Sequence, residues 1–284
     1  MKKILSILAL AILLFAFSPA TVLAAPQGAA GKTTEQVGYD VAWPQCGKRL
    51  PTGQSFAVVD VNGGTAANTN PCLSAQLTWA KAATGTTAQP KIQLYMNTAN
   101  PGEVIDQITT WPTSNTDETG LTTANPYGTC TGANDLACSW QYGWNRSVEA
   151  NRDRFAPAAA AAGLSQVASN YIWWLDIETS NTWQVTGTTD AFNRNVADIE
   201  GMTSYYEAQG ATVGLYSTAV QWAQITNNQV SPTSDLNGLR NWRPSGATLS
   251  NAITNCSVTP LTAGGFIALT QYVKQNLDYD HSCI

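Results

Sequence analysis

The run Tyr171–Thr179, YIWWLDIET, places two acids, Asp176 and Glu178, at the end of an otherwise apolar stretch. Tyr171–Leu175 reads as a strand buried on both faces, where side chains are almost continuously apolar. A carboxylate there is costly to desolvate unless it is paired or used. Alternate residues of a strand point the same way, so Asp176 and Glu178 share a face, about 6.6 Å apart along the chain. Two carboxyls held together on a rigid element suit acid–base cleavage of an acetal bond. The spacing falls at the border between retaining and inverting geometries and leaves the stereochemistry open. A strand that ends at the surface with two solvated acids would give the same local pattern.

Other chemistries find few residues to use. His281 is the single histidine, which excludes a histidine-rich zinc site and leaves a Ser-His-Asp triad with one candidate base near the C-terminus. Six cysteines in a chain that begins like an export signal read as three disulfides, and are then unavailable as nucleophiles or metal ligands. Six cysteines allow fifteen pairings; joining near neighbours among the predicted elements gives Cys46–Cys72, Cys130–Cys138 and Cys256–Cys283. No metal and no organic cofactor is implied. Hard acid–base chemistry therefore falls to carboxylates. The formal net charge of -5, with no basic cluster, disfavours nucleic acid as a partner. Charged residues are only 12% of the chain, which suits an exported protein with a hydrogen-bonding surface.

The elements that must position the acids alternate between strands and helices. Residues 1–24 read as a secretory signal: Lys2 and Lys3, an apolar core Ile4–Phe17, and Val22-Leu23-Ala24 before the cleavage point. Residues 25–36 read as a flexible leader, and no later stretch could span a bilayer. Strands are predicted at Val37–Val41, Phe56–Val61, Lys91–Asn97, Tyr171–Leu175, Ala211–Tyr216, near Trp242 and at Gly265–Val273. Helices are predicted at Leu73–Ala83, Trp144–Gly163 with a break at Pro157, Asp190–Gln209 and Ser217–Ile225. Thr188, Thr189 and Asp190 offer capping groups for the longest of these, and Gly210 a stop. Pro112–Gly143 has no period and reads as an ordered excursion, closed by Cys130 and Cys138, that could wall a cleft. About seven strands alternating with helices predict a parallel sheet closed as a modified β/α (TIM-like) barrel, a single domain over residues 37–284. An open doubly wound sheet fits less well, because Asn62-Gly63-Gly64 is no phosphate-binding loop.

In a barrel of this kind the C-terminal strand ends assemble the site, and four segments resemble family 25 glycoside hydrolases, the lysozyme-like muramidases. They are Gly38-Tyr39-Asp40-Val41, Leu175-Asp176-Ile177-Glu178, Val213-Gly214-Leu215-Tyr216-Ser217, and Thr270-Gln271-Tyr272 followed by Asp278-Tyr279-Asp280. Their order and approximate spacing agree across most of the chain after the signal. Departures at Trp43-Pro44, Thr270 and Asp280 mark a divergent member. The resemblance implies a barrel that cleaves the β-1,4 bond between N-acetylmuramic acid and N-acetylglucosamine in peptidoglycan. It implies Glu178 as general acid and Asp176 as the group that orients the acetamido or stabilises positive charge. Asp40 and Asp278 would complete an acidic floor, and Tyr95, Tyr216 and Gln271 would contact substrate.

Asn97 at the third strand's end, and Trp43 on the loop after the first, join these as substrate-contact candidates. Of the ten tryptophans, Trp43, Trp111 and Trp140 fall on predicted loops and are the best placed to stack on sugar; most of the rest are expected in the core. Asp60, at the end of the second strand, is either part of the cleft or a hydrogen-bonded structural acid. Asp280 is either part of the site or a turn residue. The expected protein is a secreted monomer acting on peptidoglycan or a related N-acetylated glycan, with no membrane partner after signal cleavage. The competing reading is a catalytically inactive barrel that keeps its cleft and binds cell-wall glycan.

Overall fold

Side-chain alternation along the strands divides the apolar residues into two cores, one inside a closed barrel and one around it. In the computed structural model, which describes residues 36–284, the strands are β1 Val37–Val41, β2 Phe56–Asp60, β3 Ile92–Asn97, β4 Ile172–Asp176, β5 Thr212–Tyr216, β6 Arg240–Pro244, β7 Phe266–Lys274 and β8 Leu277–Ser282. They close in sequence order. Helices α1 Leu73–Ala80, α2 Leu136–Glu149, α3 Ala156–Ala161, α4 Thr189–Ala208, α5 Ala219–Thr226 and α6 Leu249–Asn255 join them. The expected signal at 1–24 and leader at 25–36 lie outside the described residues, Gln36 excepted. No helix among the described residues is long and apolar enough to cross a membrane.

β4 shows the division most clearly. All five of its residues are buried. Trp173 and Leu175 face outward into a core shared with Val59, Leu94, Met96, Val213 and Leu215. Ile172 and Trp174 face inward, with Phe56, Val58, Tyr216, Trp242 and Leu269. Below these rings the barrel interior is polar: Trp174 Nε1 donates to Gln93 Oε1 at 2.7 Å, and Gln93 Nε2 to Gln89 Oε1 at 2.9 Å. A strand with bulky side chains on both faces needs helices outside and a filled interior inside, which is the barrel arrangement.

Two expectations need correction. The sheet is not wholly parallel: β8, absent from the sequence reading, runs antiparallel to both β7 and β1. Lys274 pairs with Leu277 across a two-residue turn in which Gln275 and Asn276 both take positive φ, 54° and 59°. Such turns favour Asn-Gly or Asp-Gly, so Gln-Asn gave little warning of a hairpin. The second correction concerns the excursion, which stops at Asp135 rather than Gly143. Asp135 caps α2 by accepting from Cys138 N at 2.8 Å. The helix then widens into a π turn over Ala150–Phe155 before α3, in whose first turn Pro157 sits. Leu136, Trp140, Trp144 and Val148 do repeat at helical spacing, but the polar Thr/Asn/Gly-rich run that leads into them, and Gly143 in the middle, mask the helix start. The three cysteine pairs are those expected: Cys46–Cys72, Cys130–Cys138 and Cys256–Cys283. Three disulfides fit an oxidising compartment.

Candidate active site at the barrel mouth

Parallel strands deliver their last residues to one end of the barrel, and an antiparallel strand delivers its first. Asp40, Asp60, Asn97, Asp176 and Tyr216 lie at the ends of β1 to β5, and Asp278 near the start of β8. Register makes five of these direct neighbours in three pairs: Asp40 opposes Asp278, and Asp176 sits between Asn97 and Tyr216. Glu178 follows two residues beyond Asp176 and is half-buried, whereas Asp176 is buried.

Hydrogen bonds lock the ring. Asn97 Nδ2 donates to Asp176 Oδ2 at 2.5 Å, leaving Asp176 Oδ1 without a partner. Tyr216 hydroxyl donates to Gln271 Oε1 at 2.8 Å, and Gln271 Nε2 in turn to Asp40 Oδ2 at 3.0 Å. Gln221 Nε2, near the start of α5, reaches Glu178 Oε1 at 3.3 Å. Deeper in the barrel, Trp242 Nε1 donates to Asp280 Oδ1 at 2.9 Å. Asp280 is thus a buried interior acid rather than a turn residue. Asp60 is buried too, with Asn62 N on Oδ1 at 2.9 Å and Oδ2 unmatched.

The arginine salt bridges all involve Arg146, Arg152 or Arg154, in or just after α2, with Glu118, Glu149 or Asp153 as partners. Of the mouth acids, Asp60 is the one that a nearby arginine, Arg154, pulls down, against the larger push of its burial. The acids raise one another. Burial pushes Asp40 well above the usual carboxylate range, helped by Asp280 and Asp278. Burial and then Glu178 do the same to Asp176, against the Asn97 hydrogen bond. Burial raises Asp278 as well, and burial with Asp278 raises Asp280. Tyr95 responds, after burial, to Asp60, Asp40, Asp176 and Asp278; Tyr216 to Asp176, Glu178, Asp40 and Asp278. Both phenols thus lie near acids carried by strands far apart in sequence.

Asp60 offers a direct check of this tension. Burial pushes its carboxyl up to about 8. Between about pH 4 and pH 8 the folded chain holds a proton there that the unfolded chain releases, so raising the pH across this window favours unfolding. Asp60→Asn removes that dependence. Urea titrations of the variant should lose on the order of 3–5 kcal/mol of the stability decline between these pH values; parallel profiles for parent and variant would contradict the burial argument.

The remaining candidates divide. Trp43 is 49% exposed in a turn after β1, with its indole over Gly64 in the loop after β2, and so on the same end of the barrel. Trp111 stacks on Tyr142 at 5.3 Å. Tyr142 lines a cavity of about 390 Å3 bounded by Ala66, Ala99, Pro101 and Ser180–Thr182, the segments that follow β2, β3 and β4. That cavity abuts the segment bearing Glu178. Trp140 is a correction: it lies in α2, 3% exposed and stacked on Trp144, not on a loop. Sequence reasoning missed Gln221 and Trp242. Gln221 gave no signal beyond following a strand end, and Trp242 looked like one more core residue. Among the described residues no group of three or more His, Cys, Asp or Glu could hold a metal ion.

No family model matches the chain, and no curated protein matches it. Among solved structures, that of a family GH25 lysozyme from Aspergillus fumigatus is similar over 88% of this chain and 94% of that one, at 12% identity and a TM-score of 0.45.

Proposed function

We propose that this chain is an exported glycosidase that cleaves β-1,4 bonds of peptidoglycan by carboxylate chemistry. The observation that carries the reading is the convergence of Asp40, Asp176, Glu178 and Asp278 on one end of a closed barrel. Glycoside cleavage passes through an oxocarbenium-like state, and a fixed cluster of acids in a partly dry site favours positive charge growing at the anomeric carbon. Glu178, two residues beyond the end of β4 and less buried than Asp176, donates the proton to the leaving oxygen. Asp176 sits deeper with one oxygen free, suited to orient the acetamido group. Asp40 and Asp278 form the acidic floor, and Tyr95, Asn97, Tyr216 and Gln271 hold them and contact the sugar. Trp43 extends the surface along the glycan.

The four motifs in order support peptidoglycan as the glycan. The purified chain, incubated with peptidoglycan and with chitin oligomers, should release reducing ends from peptidoglycan above a no-protein control. Retention on cell walls with no reducing ends released would replace this reading by the binding barrel.

A further inference from the structure

Beside the acids, one sector of the rim gathers unpaired positive charge. Lys48 and Arg49, in the loop between β1 and β2, are exposed and make no side-chain hydrogen bond or ion pair among the described residues. With Leu50, Pro51, Gln275 and Leu277 they line a cavity of about 480 Å3 between that loop and the β7–β8 hairpin. The hairpin turn follows the end of β7, so the cavity lies at the mouth end of the barrel. No Asp or Glu lines it. Lys274 pairs with Leu277 across the hairpin, so the two side chains share a face, and exposed Lys274 brings a third cation to this side. Asp278, next along β8, is turned to the opposite face, where it meets Asp40.

The loop that carries Lys48 and Arg49 is held in place. The Cys46–Cys72 disulfide ties it to the start of α1, Gln76 Nε2 donates to Ala42 O at 2.6 Å, and Trp79 Nε1 donates to Pro51 O at 2.7 Å. Charges fixed in this way orient a ligand by its own charge pattern. Neutral sugars can cross the acidic mouth, whereas a negatively charged substituent is repelled from it and drawn to the basic sector beside it. In peptidoglycan that negative charge sits on the carboxylates of peptides carried by the muramyl units. An arginine fork matches a carboxylate, and the volume falls within the roughly 300–1,000 Å3 of small-molecule sites. We propose that this basic pocket seats the peptide carboxylates of the wall glycan, so that peptide-bearing strands are bound in preference to bare ones. The inference rests on the peptidoglycan reading of the mouth and extends it to the substituent.

The test is calorimetric titration of the chain carrying Glu178→Gln, which keeps the ligands intact, with and without Lys48→Gln and Arg49→Gln together. One ligand is a β-1,4-linked tetrasaccharide of alternating N-acetylglucosamine and N-acetylmuramic acid bearing pentapeptides. The other is the same fragment with every peptide carboxylate converted to a carboxamide, which probes the pocket without altering the protein. The acidic fragment should bind about tenfold more tightly than the amidated one. The double substitution should abolish that preference, and so should about 0.5 M salt. Equal affinity for the two fragments overturns the proposal, as does a preference that survives the double substitution. Binding of poly(glycerol phosphate) without a preference for the acidic fragment also overturns it, and assigns the pocket to wall phosphate polymers. Failure to bind either fragment removes the peptidoglycan reading and this inference with it. A preference that depends on Lys48 and Arg49, in a chain whose unsubstituted form releases no reducing ends, sinks the hydrolytic reading alone.

Discussion

Glu178→Gln should lower the release of reducing ends from peptidoglycan about 10²–10⁴-fold, the range that a positioned general acid contributes. The exchange is nearly isosteric. Glu178 lies beyond the last residue of β4, half-buried, and its carboxylate meets one side-chain donor, Gln221. A glutamine amide there can still accept from Gln221 but cannot give a proton to a sugar oxygen. The melting temperature should therefore barely change while activity collapses. Asp176→Asn is the instructive companion. Asp176 is buried, hydrogen-bonded to Asn97, and pushed upward by burial and by Glu178. Removing its charge relieves that repulsion, so the variant should keep its stability and alter the pH profile of whatever hydrolysis remains. Rates measured across pH for parent, Glu178→Gln and Asp176→Asn separate the roles. Equal rates for parent and Glu178→Gln would remove Glu178 as the acid.

The second large effect concerns the fold. Gly201→Ala in α4 should destabilise the protein by about 3 kcal/mol, and Gly143→Ala in α2 by a similar amount, both at the upper end of overpacking costs. Helix propensity alone forecasts the opposite sign, since Ala is favoured over Gly by roughly 1 kcal/mol in a helix interior. Close approach decides. A Cβ on Gly201 would lie 1.9 Å from the carbonyl oxygen of Trp140, and one on Gly143 would lie 1.9 Å from that of Asp198. Both obstacles are backbone atoms, so no rotamer change clears them and the helices must separate. Thermal unfolding should fall by roughly 6–12 °C for a domain of this size. An unchanged or raised midpoint would mean that α2 and α4 do not cross this closely.

How much of this was legible beforehand differs from element to element. β4 was clear because a run of bulky apolar residues ending in D-x-E has few other uses. α4 was clear because its apolar residues repeat at helical spacing and its N-cap is a threonine: Thr188 Oγ1 accepts from Ala191 N at 3.2 Å. α2 was obscured although Leu136, Trp140, Trp144 and Val148 repeat at helical spacing, because its first turns continue the polar, glycine-bearing composition of the excursion before it. β8 was obscured because Leu277–Ser282 holds little apolar pattern and its turn lacks glycine. The same blindness hid the acid cluster's full membership. Asp280 was ambiguous in sequence, and its burial depends on an antiparallel strand whose existence was not apparent.

By itself the sequence determined which strand residues alternate inward and outward, where α1, α4 and α5 begin to within about two residues, and that Asp40, Asp176 and Glu178 occupy strand ends. Those properties depend on neighbours a few positions away, which is the range over which backbone periodicity and capping act. Only the tertiary structure decided that Asp40 faces Asp278 across a strand pair, that Trp242 reaches Asp280, and that Arg49 and Leu277 line one cavity. Such contacts join residues as distant along the chain as Asp40 and Asp278. They exist because closing the sheet with an antiparallel last strand fixes register across the seam, and nothing in local spacing encodes that closure.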